Sequence, residues 1–214
     1  MTALVRTTAP AEEPVSLIEA KAHLRISVDD DDDLIESLIT GARLVCEDFT
    51  RRALITQGWR LWLDGFPGAE HGWWDGMREM TESRVIRRFI HLPRPPLVSV
   101  SSVNTYDDDS NITVFDSSLY FVDTASVPGR LALRNNASWP CPARRYNGVR
   151  IDFTAGYGAA ADVPQALKQG LLAHIAFLYE NRGDGQGLSG AANAGAVPSA
   201  AMALYQPYRV TNLV

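Results

Sequence analysis

The 214-residue sequence is poor in the residues that build metal clusters, disulfide frameworks and catalytic triads: it has two cysteines and four histidines. Cys46 and Cys141 are too few for a disulfide scaffold or a zinc cluster, so both are expected to be reduced, Cys46 as a small core residue of a helix. His23, His71, His91 and His174 show no His-Glu-x-x-His or Cys/His ligand spacing. Gly-rich phosphate loops are missing too, both the form ending in Gly-Lys-Ser/Thr and Gly-x-Gly-x-x-Gly between a strand and a helix, which leaves nucleotide binding unsupported. Gly187-Leu188-Ser189-Gly190-Ala191 is one residue short of a nucleophile elbow and falls in a glycine tract, not on a strand-to-helix turn. No catalytic, cofactor or metal residue is therefore assigned. No apolar run approaches the length of a membrane helix, and TALVRTTAPAEEP lacks the apolar core of a signal peptide, so a cytoplasmic site of synthesis is expected. Basic excess is absent as well: 20 Lys and Arg stand against 25 Asp and Glu, a net charge of -5. That balance gives no general pull towards nucleic acid or an anionic membrane.

What is present is the composition of an ordinary globular protein, 46% hydrophobic and 21% charged, long enough to bury a core. The clearest stretch runs from Glu13 to Phe66. Ser16 and Glu19 are spaced as a capping box, which predicts a short helix over Leu17 to Leu24. After the turn at Ile26 to Val28 come five carboxylates, Asp29, Asp30, Asp31, Asp32 and Asp33. Leu34, Ile35, Leu38, Ile39, Ala42, Val45, Cys46 and Phe49 then mark one face of a second helix ending near Arg52. Carboxylates at a helix start meet free backbone amides and the positive end of the dipole. A calcium loop is the alternative, but Leu34 stands where its glycine belongs and Thr40 where its glutamate belongs.

From Leu54 the apolar period changes to two, with Trp59, Leu61 and Leu63 alternating with Arg60, Trp62 and Asp64, as in a strand. Phe66 to Ser83 reads as a long loop, in which Trp73 and Trp74 either anchor a partner or fold back over the sheet. Short strands follow at Val85 to Leu92, Leu97 to Tyr106, Asn111 to Phe115, Leu119 to Val122, Gly129 to Leu133 and Val149 to Phe153. The expected fold class is α+β: a helical core of two N-terminal helices and a long C-terminal helix, with an inserted antiparallel β unit. The expected divisions are an arm at 1–13 without periodicity, N-terminal helices at 14–53, the β unit at 54–158, the long helix at 159–182, and a linker with a docking segment at 183–214. Arg84, Arg87, Arg88, Arg144, Arg145 and Arg150 fall on the β unit, as scattered solvated charges or as a phosphate-tracking face.

Asp162 and Pro164 start the long helix. Leu167, Leu171, His174, Ile175 and Leu178 form one stripe on it, with His174 a packed core histidine. Leu172, Ala176 and Tyr179 form a second. Two apolar sides suit burial against a neighbouring subunit or a place at the centre of a monomer core. The tract GDGQGLSGAANAGA, Gly183 to Ala196, has the composition of a flexible linker, and the apolar, aromatic Pro198 to Val210 that follows has the form of a tethered binding element.

The strings PVSLIEAKAHLRI, DDDDLIESLITGARLVCEDFTRRAL, LPRPPLVSVSSVNTYD, PGRLAL and VRIDFTAGYGAAADVPQALKQGLLAHIAFLYENR, closed by PYR, resemble in this order the head–tail connector (adaptor) proteins of long-tailed phages, prophages and gene transfer agents. The resemblance covers most of residues 14–182. It implies a structural, non-enzymatic virion protein of the neck, about twelve copies of which form a ring. Its implied partners are the portal protein, the stopper or tail, copies of itself, and DNA passing through the lumen. It further implies portal docking through Leu204, Tyr205, Tyr208 and Arg209. Leu172, Ala176 and Tyr179 are then candidates for the subunit contact, and Asp29 to Asp33 for an acidic rim or lumen along which DNA slides. A chain truncated at Gly183 is expected to fold and fail to attach. Another neck component, such as a stopper or tail terminator, or an unrecognised enzyme are the rival readings.

Overall fold

The computed structural model describes residues 2–66, 89–140, 144–181 and 197–211. The chain forms two compact units, a β unit from Met1–Ala9 and Gln57–Ala155, and a helical unit from Pro10–Thr56 and Gly156–Asn212. In chain order the elements are β1 (Thr2–Thr8), α1 (Leu17–Leu24), α2 (Asp32–Thr50), β2 (Gln57–Leu63), β3 (Phe89–His91), β4 (Leu97–Tyr106), β5 (Ile112–Val114), β6 (Tyr120–Asp123), β7 (Arg130–Leu133), β8 (Val149–Ala155), α3 (Gln165–Glu180) and α4 (Ser199–Tyr205). The class is α+β, as its alternation of period-two and helical segments predicts.

In the β unit one antiparallel sheet has the order β1-β2-β8-β4-β5 and a second the order β3-β7-β6. Alternation sets the faces of the larger sheet. Trp59 pairs with Phe153 and Leu61 with Ile151, and all four are buried. On the other face Arg60 sits opposite Asp152 and donates to it at 2.7 Å, Ser102 donates to the same carboxylate at 3.2 Å, and Arg150 lies 3.0 Å from it. Opposite charges at facing strand positions stabilise a pairing, as Arg60 and Asp152 do between β2 and β8, and the Ser102 hydroxyl ties β4 to the same carboxylate. In the smaller sheet Asp123 accepts from the Ser126 hydroxyl and from Arg130, which hold its carboxyl down to about 2. Phe66, Phe115, Tyr120 and Trp139 form an aromatic cluster, with Phe66 stacked on Trp139 at 4.6 Å. Gly129 lies so close to Leu97 that an added Cβ would sit 2.5 Å from the leucine Cβ.

The helical unit packs α1, α2, α3 and α4 around Ile35, Ile39, Ala42, Cys46, Leu167, Leu171, Ile175 and Tyr205. α1 is closed by the predicted capping box: Glu19 N–H donates to the Ser16 hydroxyl at 3.2 Å and Ser16 N–H to the Glu19 carboxylate at 2.8 Å. Both α1 and α2 end on an arginine in the left-handed conformation, Arg25 and Arg51.

Three expectations change. Residues 1–13 are not a mobile arm: β1 pairs with β2 from Thr2↔Leu63 to Thr8↔Gly58. Glu12 and Glu13 are also held, by the Ala160 amide and by Arg43. TALVRTT hides its role because an edge strand buries little, so it shows no strict apolar alternation. Secondly, Pro198 to Val210 is folded into the helical unit, as described below. Thirdly, Asp31 is the N-cap of α2 but makes no side-chain cap bond. The strand expected over Val85 to Leu92 is present over Phe89–His91, and its first four residues lie outside the described ones. Trp73, Trp74, Cys141, the near-elbow at 187–191 and the Gly183 to Ala196 tract lie outside them too.

Candidate functional site

Among the described residues no group of three or more His, Cys, Asp or Glu is placed to hold a metal ion, and no helix is long and apolar enough to cross a membrane. The features with functional potential are surfaces and the segments that shape them.

The C-terminal segment comes first. Tyr205 of α4 is fully buried, as is Ala201 one turn earlier. Its ring lies against Gly170 of α3, where an added Cβ would stand 2.4 Å from the tyrosine Cε1, so only glycine leaves room for it. Phe49 is 6.2 Å away, centroid to centroid, and His174 6.5 Å. The Tyr205 hydroxyl faces the Cys46 thiol but makes no hydrogen bond of normal geometry among the described residues, and His174 Nδ1 makes none there either. Burial pushes the Tyr205 phenol up and the Cys46 thiol up to about 12, and pushes the His174 imidazole below its ordinary 6.5. All three are neutral at pH 7. The end of the segment is tied to α2: Val210 N–H donates to the Thr50 carbonyl at 3.0 Å, Arg52 Nε to the Tyr208 carbonyl at 2.6 Å, and the Arg209 guanidinium lies 5.2 Å from the Phe49 ring centroid. Of the four residues assigned to portal docking, Tyr205 is thus an internal anchor and not a presented hook. Leu204 and Tyr208 are half-buried and Arg209 is exposed. An aromatic segment after a low-complexity tract looks the same in sequence whether it docks on a partner or on its own fold.

The acidic run is only partly free. Lys21 of α1 bridges Asp29 and Asp32, at 2.6 Å to each, and the Tyr179 hydroxyl donates to Asp31. Asp30 and Asp33 are exposed. Lys21 holds the Asp29 carboxyl below its ordinary range, and Asp29 and Asp32 raise the lysine. Tyr179, assigned to a subunit contact, is therefore engaged with α2 of its own chain, and it packs with Leu172 against the helical core. Ala176 is half-buried.

Sequence reasoning missed a buried ionic network. Arg43 and Glu47, 4% and 3% exposed, are joined at 3.3 Å one turn apart on α2, and Arg43 also donates to Glu13 at 2.7 Å. Glu47 in turn accepts from the Leu54 amide. The signal was there: an i, i+4 pair of opposite charge beside Ala42 and Cys46, on the apolar face. On the β unit, Arg150 donates to the Tyr106 hydroxyl at 2.6 Å and lies near both Trp62 and Tyr106. It serves the sheet rather than a phosphate-tracking face. Arg84, Arg87 and Arg88 lie outside the described residues.

This α+β arrangement is the fold of chains seen in the necks of gene transfer agent (GTA) particles. A chain from the neck of an empty GTA particle computed with C6 symmetry matches with a TM-score of 0.74 at 24% identity, covering 99% of this chain and 97% of that one. One from the virion of a native GTA particle matches at 0.72 and 25%, and one from the neck of a native GTA particle computed with C12 symmetry at 0.64 and 25%, both with the same coverage. Residues 14–72, which contain α1, α2 and β2, match the family described as phage gp6-like head-tail connector proteins. No curated protein sequence matches the chain.

Proposed function

We propose that the protein is a subunit of a ring in the neck of a phage-like particle, joining the portal of the capsid to the stopper or tail while DNA passes through the ring. The observation that carries this reading is the likeness over 99% of the chain to a subunit of a neck computed with C12 symmetry, at 25% identity. The connector family match over residues 14–72 supports it independently.

In this reading about twelve copies meet through unlike faces, since a closed ring requires a heterologous contact. The half-buried side of α3 around Ala176 is one candidate for that contact. Asp30 and Asp33, exposed carboxylates of the run, supply the acidic rim, because a wall of negative charge lets DNA slide without sticking. Portal engagement falls to the parts of the C-terminal segment that remain presentable, Arg209 with the exposed portions of Leu204 and Tyr208. The test is to mix the purified protein with portal rings and, separately, with tail tubes, and to image both by electron microscopy. Added density as a ring on the portal supports the adaptor reading. Binding only to tail tubes would transfer the protein to a stopper or tail-terminator role.

A further inference from the structure

We propose that the contact between neighbouring copies in the ring is made by the Arg144–Asn147 tip of one copy's β unit seated in the α1–α2 groove of the next copy's helical unit. The proposal rests on the ring reading above and names the partner as a second copy of this chain.

The groove is an open concavity of about 430 Å³ with an apolar floor of Leu17, Ile18, Ala22 and Ile26. Ile18 is 81% exposed, on a helix whose other side packs into the core. An isoleucine left in water on a concave apolar floor is what a partner surface offers before it is covered. The rim is formed by Lys21, Asp29 and Asp32, so two carboxylates face one ammonium and the groove retains an excess negative charge.

The tip has the complementary character. Tyr146 is 68% exposed and Arg145 beside it is exposed. The tip is nevertheless held in shape. Arg144 N–H donates to the Tyr106 carbonyl at 3.3 Å, and its guanidinium lies 5.7 Å from the Tyr106 ring centroid. Asn147 sits at φ 50°, with its N–H donating to the Asp64 carboxylate at 3.0 Å. A pre-shaped loop loses little freedom on binding, and tyrosine and arginine are among the side chains concentrated at interface hot spots. Tyr146 covers Ile18, and Arg145 answers the surplus carboxylate. Because tip and groove are unlike surfaces, the contact repeats head to tail, as a ring requires.

The test uses the full chain in a Cys141→Ser background, with Ile18→Cys in one preparation and Tyr146→Cys in another, assembled on portal rings, treated with a short bismaleimide and imaged. Both positions are exposed, so both variants should fold. The expected result is rings like those of the wild type and a cross-linked dimer only when the two variants are mixed. In addition, Arg145→Glu should lower ring yield about tenfold, and Asp29→Lys in the same chain should restore it. Rings without the mixed cross-link overturn this contact and leave the ring reading standing, as does Ile18→Cys linked to the portal instead. Absence of rings from the wild type overturns both.

Discussion

At the residue scale two buried positions carry opposite lessons about polarity in a core. Arg43 is held by Glu13 and Glu47 and is almost fully enclosed. Removing one member of such a network leaves a buried charge without its partner, so Arg43→Ala should lower the stability of the helical unit by about 3–5 kcal/mol, read as a shift in its urea midpoint. Tyr205 is the reverse case, since its hydroxyl is buried without a hydrogen bond of normal geometry among the described residues while its ring fills the space above Gly170. Tyr205→Phe removes the unsatisfied group and keeps the packing, and should leave stability at or above the wild-type level. Tyr205→Ala empties the site and should cost about 3–5 kcal/mol. A substantial loss in the phenylalanine variant would show that the hydroxyl has a partner after all.

At the element scale α1 illustrates how local chemistry decides a boundary. Its eight residues are too short to be stable alone, so the capping box and the docking of Ala20 into the core together define it. Ser16→Ala should therefore cost about 1 kcal/mol, with Ser16→Asp close to neutral, both measured by chemical denaturation. Most elements were legible in this way. The period-two run at Trp59 to Leu63 is β2, the predicted Leu97 to Tyr106 is β4, and the stripe Leu167, Leu171, His174, Ile175 is the buried side of α3. β1 was not legible, because the pairing that makes it a strand is with β2, which is distant along the chain, from Thr2↔Leu63 to Thr8↔Gly58. The α2 N-terminus was legible as a boundary but not in its chemistry, since Lys21 and Tyr179 claim the carboxylates that free amides were expected to hold.

At the scale of the whole molecule the C-terminal segment decides how the helical unit behaves. Deleting residues 183–214 removes Ala201, Tyr205 and Val210 from the core and uncovers the buried side of α3. The truncated chain should lose helical-unit stability by several kcal/mol and expose apolar surface to a hydrophobic dye, rather than fold normally as the linker composition suggested. The same packing predicts a pH dependence. His174 has its proton affinity depressed in the folded state, so the folded protein stays unprotonated while the unfolded chain binds a proton as pH falls below the ordinary 6.5. Stability should accordingly fall as pH drops through 6.5 and below. Cys46 and Tyr205, the polar neighbours, are pushed upward and do not titrate there. His174→Gln should flatten that part of the profile, checked by thermal melts from pH 7.5 to pH 5.

What the sequence determined by itself was local: which stretches are helix or strand, where α1 is capped, which faces are apolar, and the order of elements that resembles the connector family. Those properties depend on residues within a few positions of one another, so periodicity and capping chemistry expose them. Only the tertiary structure decided that the N-terminus is an edge strand, that Tyr205 is an anchor seated on Gly170, and that Lys21 gathers Asp29 and Asp32. Each of those outcomes is a choice among partners distant along the chain. Close packing and charge neutralisation in three dimensions make that choice, and no local pattern records it.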